Sequence, residues 1–164
     1  MQHSGSRYDL KCREWCPDLR PPMKLQSLPC YCATLRQAAR AATALYESAV
    51  ADCGLHLTQY TVLQALKLAP NLTTTELADL IGIDQTTATR TLALIRQGGL
   101  IASTPGRDRR ERRWNLTSQG ESTFRKVQPK WESAQAAFEQ RLGRNEAGAI
   151  KRAAFRAASR LAMR

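Results

Sequence analysis

Between Thr73 and Gly99 the chain carries two short helical patterns separated by only a few residues, and no other feature restricts the fold as much. Thr73-Thr-Thr-Glu76 is a capping box, in which a threonine oxygen takes an orphan amide while Glu76 reaches back to the cap. Leu77, Leu80 and Ile81 then share one helical face, and Gly82 supplies a left-handed stop. Asp84 caps the next helix, where Ala88, Leu92 and Ile95 recur at four and three residues and point inward. The opposite face carries Thr86, Thr89, Arg90, Ala93 and Gln97, small and polar except for one arginine. Such a face suits the major groove: short hydroxyl side chains permit close approach, threonine methyls meet thymine methyls, and Gln85 or Arg90 pairs with base edges. An ordinary surface helix is the competing reading. Threonine argues against it, because it serves neither helix propensity nor solubility as Glu or Lys would. The candidate base-contacting residues are therefore Gln85, Thr86, Thr87, Thr89 and Arg90.

A two-stranded wing is expected next. Gly98-Gly99 ends the second helix, Leu100 to Thr104 reads as a strand, Pro105-Gly106 breaks it, and Trp114 to Leu116 returns. The turn between them holds Arg107, Arg109, Arg110, Arg112 and Arg113 against only Asp108 and Glu111. A cluster of that density repels itself unless a polyanion screens it, although arginine runs also occur as plain solvated loops. Arg107, Arg112 and Arg113 are assigned to phosphates, where they add affinity and salt dependence without sequence choice. Asp108 would repel phosphate, so its expected task is to hold Arg110 or Arg113. Trp114 begins the returning strand and is read as a packing residue.

At this point the chain resembles the multiple-antibiotic-resistance regulator (MarR) family of winged-helix transcription factors. The matching stretches are GLHLTQYTVLQAL (Gly54 to Leu66), TTTELADLIGIDQTTATRTLALIRQGGLI (Thr73 to Ile101) and DRRERRWNLTSQG (Asp108 to Gly120). The resemblance covers roughly Pro29 to the C-terminus. It implies a mainly α protein, with a winged helix-turn-helix head over about 55–117 and dimerisation helices over about 30–53 and 118–164. It also implies minor-groove insertion from the wing, for which Arg110 is the first choice and Arg109 the competitor.

The helices outside the head fit that assembly. Leu35, Ala38, Ala39, Ala42, Leu45, Tyr46 and Ala49 follow helical spacing from Cys32 to Val50. Ser118-x-x-Glu121 reads as a second capping box, opening a helix whose stripe is Phe124, Val127, Trp131, Ala134, Phe138 and Leu142, with Pro129 expected to bend it. Gly143-Arg-Asn145 is the expected break before a last helix with Ile150, Ala154, Ala157 and Leu161. Stripes so rich in alanine do not wrap a core alone, whereas two interlocked copies cover them. A two-fold homodimer then requires pseudo-palindromic half-sites about 34 Å, or roughly ten base pairs, apart.

Composition sets the outer bounds. A chain of 164 residues, 43% hydrophobic, suffices for one core, and a formal net charge of +11 suits phosphates. No long apolar run and no secretory pattern is present, so a cytoplasmic protein with no membrane partner is expected. An enzyme is not expected: the chain lacks a Gly-rich phosphate loop, paired acids in a plausible pocket, and a nucleophile with a histidine partner, and no cofactor is implied. A basic RNA-binding protein is the rival from another class, yet only 6% of residues are aromatic and stacking platforms are scarce.

The switch is less constrained. A small phenolic or aromatic effector would suit an apolar pocket with a few polar tips, for which Tyr46, His56, Leu57, Tyr60 and Trp131 are the candidate lining residues. The alternative is an oxidant. Cys30 and Cys32 stand at the expected start of the first helix, where free amides and the helix dipole favour a thiolate. Cys32 resembles the sensing cysteine of the family's organic-hydroperoxide regulators, with Arg40 eight residues on and Tyr46 fourteen on, but Arg36 and Leu57 replace that subgroup's two further tyrosines. Five cysteines, an odd number without the usual zinc spacing, favour reduced thiols and no metal site. Residues 1–28 lack periodicity and are expected to be a disordered tail, with Met23 as an alternative translation start.

Overall fold

A computed structural model describes residues 29–106, Asp108 and 111–162. The expected disordered tail, 1–28, lies outside the described residues. The chain divides between Gln37 and Ala38 into two units, with the first helix spanning the boundary. The elements are α1 (Tyr31–Val50), a short 3-10 turn (Ala51–Cys53), α2 (Leu57–Leu68), β1 (Leu72–Thr73), α3 (Thr74–Ile81), α4 (Gln85–Gln97), β2 (Ile101–Pro105), β3 (Arg112–Leu116), α5 (Ser118–Leu142) and α6 (Arg144–Ala162). This is the mainly helical, winged helix-turn-helix architecture expected from the sequence.

Helix α2 is the axis of the head. Tyr60, Val62, Leu63, Ala65 and Leu66 are buried along it, and α3, α4, α5 and β3 all pack on it. It stops at Ala69, which is extended because the following Pro70 disfavours a helical residue before it. The core then gathers Leu77, Leu92, Ile95, Leu100, Ile101, Trp114 and Val127 around those residues.

The two short helices are capped as the sequence requires. Thr73 Oγ1 accepts the Glu76 amide at 3.1 Å while Glu76 Oε2 accepts the Thr73 amide at 2.8 Å. Gly82 ends α3 at φ 70°, a left-handed turn that a side chain would resist. Asp84 Oδ1 then accepts the Thr87 amide at 2.9 Å and starts α4. The inward set of α3 differs from expectation: Ala78 is buried beside Leu77, and Leu80 is 52% exposed. At roughly 100° per residue, Leu77, Ile81 and Ala78 fall within one arc of about 100°, whereas Leu80 lies about 60° beyond its edge.

Three further differences have local causes. The sheet has three strands in the order β1-β3-β2, because Leu72 and Thr73 pair with Trp114 and Arg113 and put β3 in the centre. Pro105 lies within β2, which is tolerated because β2 is an edge strand. Helix α5 is capped by Thr117, whose Oγ1 accepts the Gly120 amide at 3.0 Å; Ser118 is the first helical residue, and Glu121 turns instead to Lys67 at 2.8 Å. Helix α5 runs on through Pro129 to Leu142, and Gly143 alone, at φ 86°, separates it from α6.

The start of α5 is pressed against the first turn of the wing. A Cβ on Gly120 would lie 2.0 Å from the Leu100 carbonyl oxygen, the same oxygen that accepts the Thr117 amide at 3.1 Å. Only glycine admits that approach. At the other extreme, the apolar stripe of α6 is largely uncovered: Leu161 is 80% exposed and Ile150 and Ala154 face outward, with Phe155 at 73% on a neighbouring face.

Candidate nucleic-acid interface

Helix α4 stands on its buried side through Ala88, Thr91, Leu92 and Ile95. Anchoring that side leaves Gln85, Thr86, Thr87, Thr89, Arg90, Ala93 and Gln97 exposed together. Their bonding separates them. Thr87 is committed to the cap, its hydroxyl donating to Asp84 Oδ2 at 2.6 Å. Thr89 donates back to the Gln85 carbonyl at 2.8 Å, and Gln85 Nε2 donates to Thr75 Oγ1 at 3.2 Å. Thr86 and Arg90 have no side-chain bond among the described residues. The helix thus presents the Thr86 hydroxyl in its first turn and the Arg90 guanidinium at its centre, both without a side-chain bond among the described residues, with Gln85 held at its start.

Two carboxylates secure this pair of helices electrostatically. The Thr87 hydroxyl first, and then its amide, hold the Asp84 carboxyl below its ordinary pKa. The Thr73 amide and hydroxyl do the same for Glu76. Both stay ionised at neutral pH and satisfy amides that a bare helix start would leave open.

In the wing, Arg112 is exposed at the start of β3. Arg113 is only 27% exposed in its side chain and is already paired: Nη2 meets Glu111 Oε1 at 2.6 Å, and Nη1 donates to the Asn71 carbonyl at 3.0 Å. Of the two arginines that Asp108 was expected to hold, Arg110 or Arg113, the second meets Glu111 and Asn71. Arg107, Arg109 and Arg110 lie outside the described residues. Trp114 packs in the core, and its indole donates to Thr74 Oγ1 at 3.1 Å.

The expected effector residues do not all line one cavity, although Trp131 lies against both Tyr46 and Tyr60, with ring centres 6.5 and 6.4 Å away. Tyr46 and Trp131, with Gln135, Phe138, Arg144 and Lys151, line a cavity of about 500 Å³. The Tyr46 hydroxyl donates to Gln135 Oε1, and its ring lies 6.5 Å from Trp131 and 6.2 Å from Phe138. Burial first, then the charge of Glu139, holds that hydroxyl above its ordinary pKa. Tyr60 is fully buried, stacked on Phe124 with ring centres 5.6 Å apart. Burial first and Glu132 second push it up to about 12, with Gln64 opposing, so it is a core phenol.

His56 and Leu57 are tied elsewhere, by a residue the sequence reading missed. Glu47 near the end of α1 accepts from the Leu57 amide at 2.7 Å and lies 2.7 Å from His56 Nδ1. The only sequence signal was an acid nine residues ahead of a histidine, across a helix end. Cys30 precedes α1 and Cys32 sits in its first turn; both are exposed, and Arg36 Nη2 donates to Cys32 Sγ at 3.5 Å. Among the described residues no His, Cys, Asp or Glu group gathers that could hold a metal, and no helix is long and apolar enough to cross a membrane.

The sequence profile of the MarR family matches residues 54–111. No curated protein matches the chain. Among solved structures, the chain is similar to the Mycobacterium tuberculosis transcriptional regulator MosR in complex with DNA, with 32% identity over 80% of this chain and 96% of that one and a TM-score of 0.72. It shares its fold with the transcriptional repressor CouR bound to a 23-mer DNA duplex, at 24% identity over 79% and 92% of the two chains and a TM-score of 0.71. It does so also with Bordetella bronchiseptica BpsR, whose DNA binding is regulated by 6-hydroxynicotinic acid, at 23% identity over 77% and 96% and a TM-score of 0.70.

Proposed function

The chain belongs to the MarR family of DNA-binding transcriptional regulators, and we propose that it acts as a homodimeric repressor on a pseudo-palindromic operator. The observation that carries this reading is the exposed face of α4, where Thr86 and Arg90 are left unpaired while Ala88, Leu92 and Ile95 fix the helix from behind. Gln85, Thr86, Thr89 and Arg90 read base edges, with Thr87 chiefly holding the cap. Arg112, and Arg107, Arg109 and Arg110 of the wing, supply phosphate and minor-groove contacts. The uncovered stripe of α6 supports the second copy, since a stable monomer rarely leaves Ile150 and Leu161 in water together.

A gel shift tests the reading. The protein should retard the duplex of its own promoter and leave a structured RNA of equal length unshifted; retention of the RNA in preference to the duplex would reject it in favour of an RNA-binding protein. Two half-sites about one helical turn apart should be protected.

Release is assigned to a small aromatic or phenolic effector in the cavity beside Tyr46 and Trp131. Three rings suit its plane, and Lys151 suits an acidic substituent, whereas Arg144 already lies 3.5 Å from Glu139 of the same lining. One observation favours a second, oxidative switch: Arg36 donates to the Cys32 sulfur at 3.5 Å, and that sulfur is exposed where peroxide can reach it. Cumene hydroperoxide and a panel of aromatic acids, added separately to wild type and Cys32→Ser in the same gel shift, divide the two. Release that survives the substitution assigns the switch to the cavity, and release that disappears assigns it to the thiol.

A further inference from the structure

Glu111 is out of place in a turn meant for phosphate, because a carboxylate there repels the ligand that its arginine neighbours attract. Its geometry gives it another task. Glu111 Oε1 meets Arg113 Nη2 at 2.6 Å, and the two side chains are only 30% and 27% exposed. Arg113 sits in the central strand, opposite Thr73 on β1 and Thr104 on β2, and its Nη1 reaches the Asn71 carbonyl at 3.0 Å. Asn71 has φ 68°, the one non-glycine residue at positive φ among those described, and its amide donates to the Trp114 carbonyl at 3.0 Å. On the wing side, the Gly106 amide donates to the Glu111 carbonyl at 2.9 Å, and the Glu111 carboxylate lies so close over Gly106 that a Cβ there would stand 2.5 Å from Oε1.

These contacts form a continuous path from Gly106 through Glu111 and Arg113 to Asn71. It joins the wing, where β2 ends and β3 begins, to the turn that enters β1 and the cap of α3. The path borders an open hollow lined by Asn71, Thr104, Pro105, Gly106 and Arg113, in which Arg113 is the one charged residue among the described lining. We infer that Glu111 and Arg113 are positioning residues, a charged brace that fixes the angle of the wing relative to α4. This assignment rests on the reading that the wing meets DNA. It also takes Arg113 out of the set of phosphate contacts that charge alone suggests.

The brace and a plain electrostatic role predict opposite signs for Glu111→Gln. If Glu111 acted only through its charge, Glu111→Gln would tighten DNA binding, and Arg113→Gln would weaken every sequence alike and lower the salt slope by about one unit. With the brace, both substitutions weaken the operator. The double variant Glu111→Gln with Arg113→Gln leaves net charge unchanged, so its salt slope on random duplex stays that of the wild type. Its operator affinity falls about five- to tenfold, no further than in either single variant, as for two residues acting as one unit. Gly106→Ala, which displaces the carboxylate without altering charge, reproduces the loss.

Circular dichroism confirms that each variant keeps its helices. Hydrogen exchange in the absence of DNA reads the brace directly, through faster exchange at the Gly106 and Glu111 amides of the double variant. Unchanged exchange at those amides, a double variant that binds operator as wild type does, or tighter binding by Glu111→Gln would each overturn the assignment. A wild type that binds no duplex would overturn the DNA reading instead, and the exchange measurement would still decide the brace.

Discussion

Gly120→Ala is the smallest change with a large consequence in this molecule. The added Cβ would lie 2.0 Å from the Leu100 carbonyl oxygen and 3.0 Å from its carbon, and both belong to backbone that cannot rotate away. An ordinary carbon to oxygen contact needs more than 1 Å of extra room, so the start of α5 must move off the wing. Two costs follow. Overpacking of this kind is worth about 1 to 3 kcal/mol, and the Thr117 to Leu100 hydrogen bond stretched by the movement contributes about 1 kcal/mol more. The sum, roughly 2 to 4 kcal/mol, is a large part of a total stability of about 5 to 15. At about 2 to 4 °C per kcal/mol for a chain of this size, Tm should drop by roughly 5 to 15 °C in a thermal melt followed by circular dichroism. Gly148→Ala is the control, because its Cβ meets only the flexible end of Arg152 at 3.2 Å and alanine favours the helix. A Gly120→Ala protein melting within about 2 °C of wild type would refute the argument from close approach.

Arg90→Ala should cost about 1 to 3 kcal/mol of discrimination at particular base pairs, whereas Arg112→Ala should weaken all sequences and lower the salt slope by about one unit; competition gel shifts at several salt concentrations distinguish them. Glu47→Ala removes the acceptor of the Leu57 amide and the partner of His56, and should lower stability in urea by about 1 kcal/mol, the usual worth of a helix cap. Asp84 and Glu76 have folded pKa values below their unfolded ones, so their stabilisation is complete above the ordinary carboxylate range and is lost as pH falls through the depressed values. Tm should therefore decline on acidification into that range, and Asp84→Asn, which keeps a capping oxygen but does not titrate, should flatten part of the decline.

What the sequence disclosed was what a few neighbouring residues decide. The Thr73 box, the Gly82 stop and the Asp84 cap are contacts over three or four residues, and each appears where its pattern lies. Strand β1 was illegible because two residues have no period; Leu72 and Thr73 become a strand only when Trp114 and Arg113 arrive from some forty positions away. The pairing of Arg113 was illegible for a related reason. A charge run treats five arginines as equivalent, while the pairing register sends this one toward Asn71 and leaves Arg112 exposed. Ser118 looked like a cap because serine and a later glutamate form a box on paper, but Thr117 had already taken the Gly120 amide and Lys67 offered Glu121 a charge. The cavity shows the same limit: its walls come from α1, α5 and α6, so Tyr46 and Trp131 were found by type while Gln135, Phe138 and Arg144 were not.

Helix α2 is the element through which an effector would reach the reading head. Glu47 of α1 holds its first amide, Lys67 at its far end pairs with Glu121 of α5, and its buried face packs on α3 and α4. The cavity beside Tyr46 and Trp131 lies between the same α1 and α5, so a ligand that parts them pulls on both ends of α2. Linkage then fixes the size of the effect. A ligand that lowers operator affinity a hundredfold must prefer the DNA-free form by about 2.7 kcal/mol, and the operator must lower affinity for the ligand by the same factor. Calorimetric titration of an active aromatic acid into free protein and into the operator complex measures that reciprocity. Equal ligand affinity in the two titrations, with DNA release still observed in gels, would exclude the cavity as the source of the switch and leave Cys32.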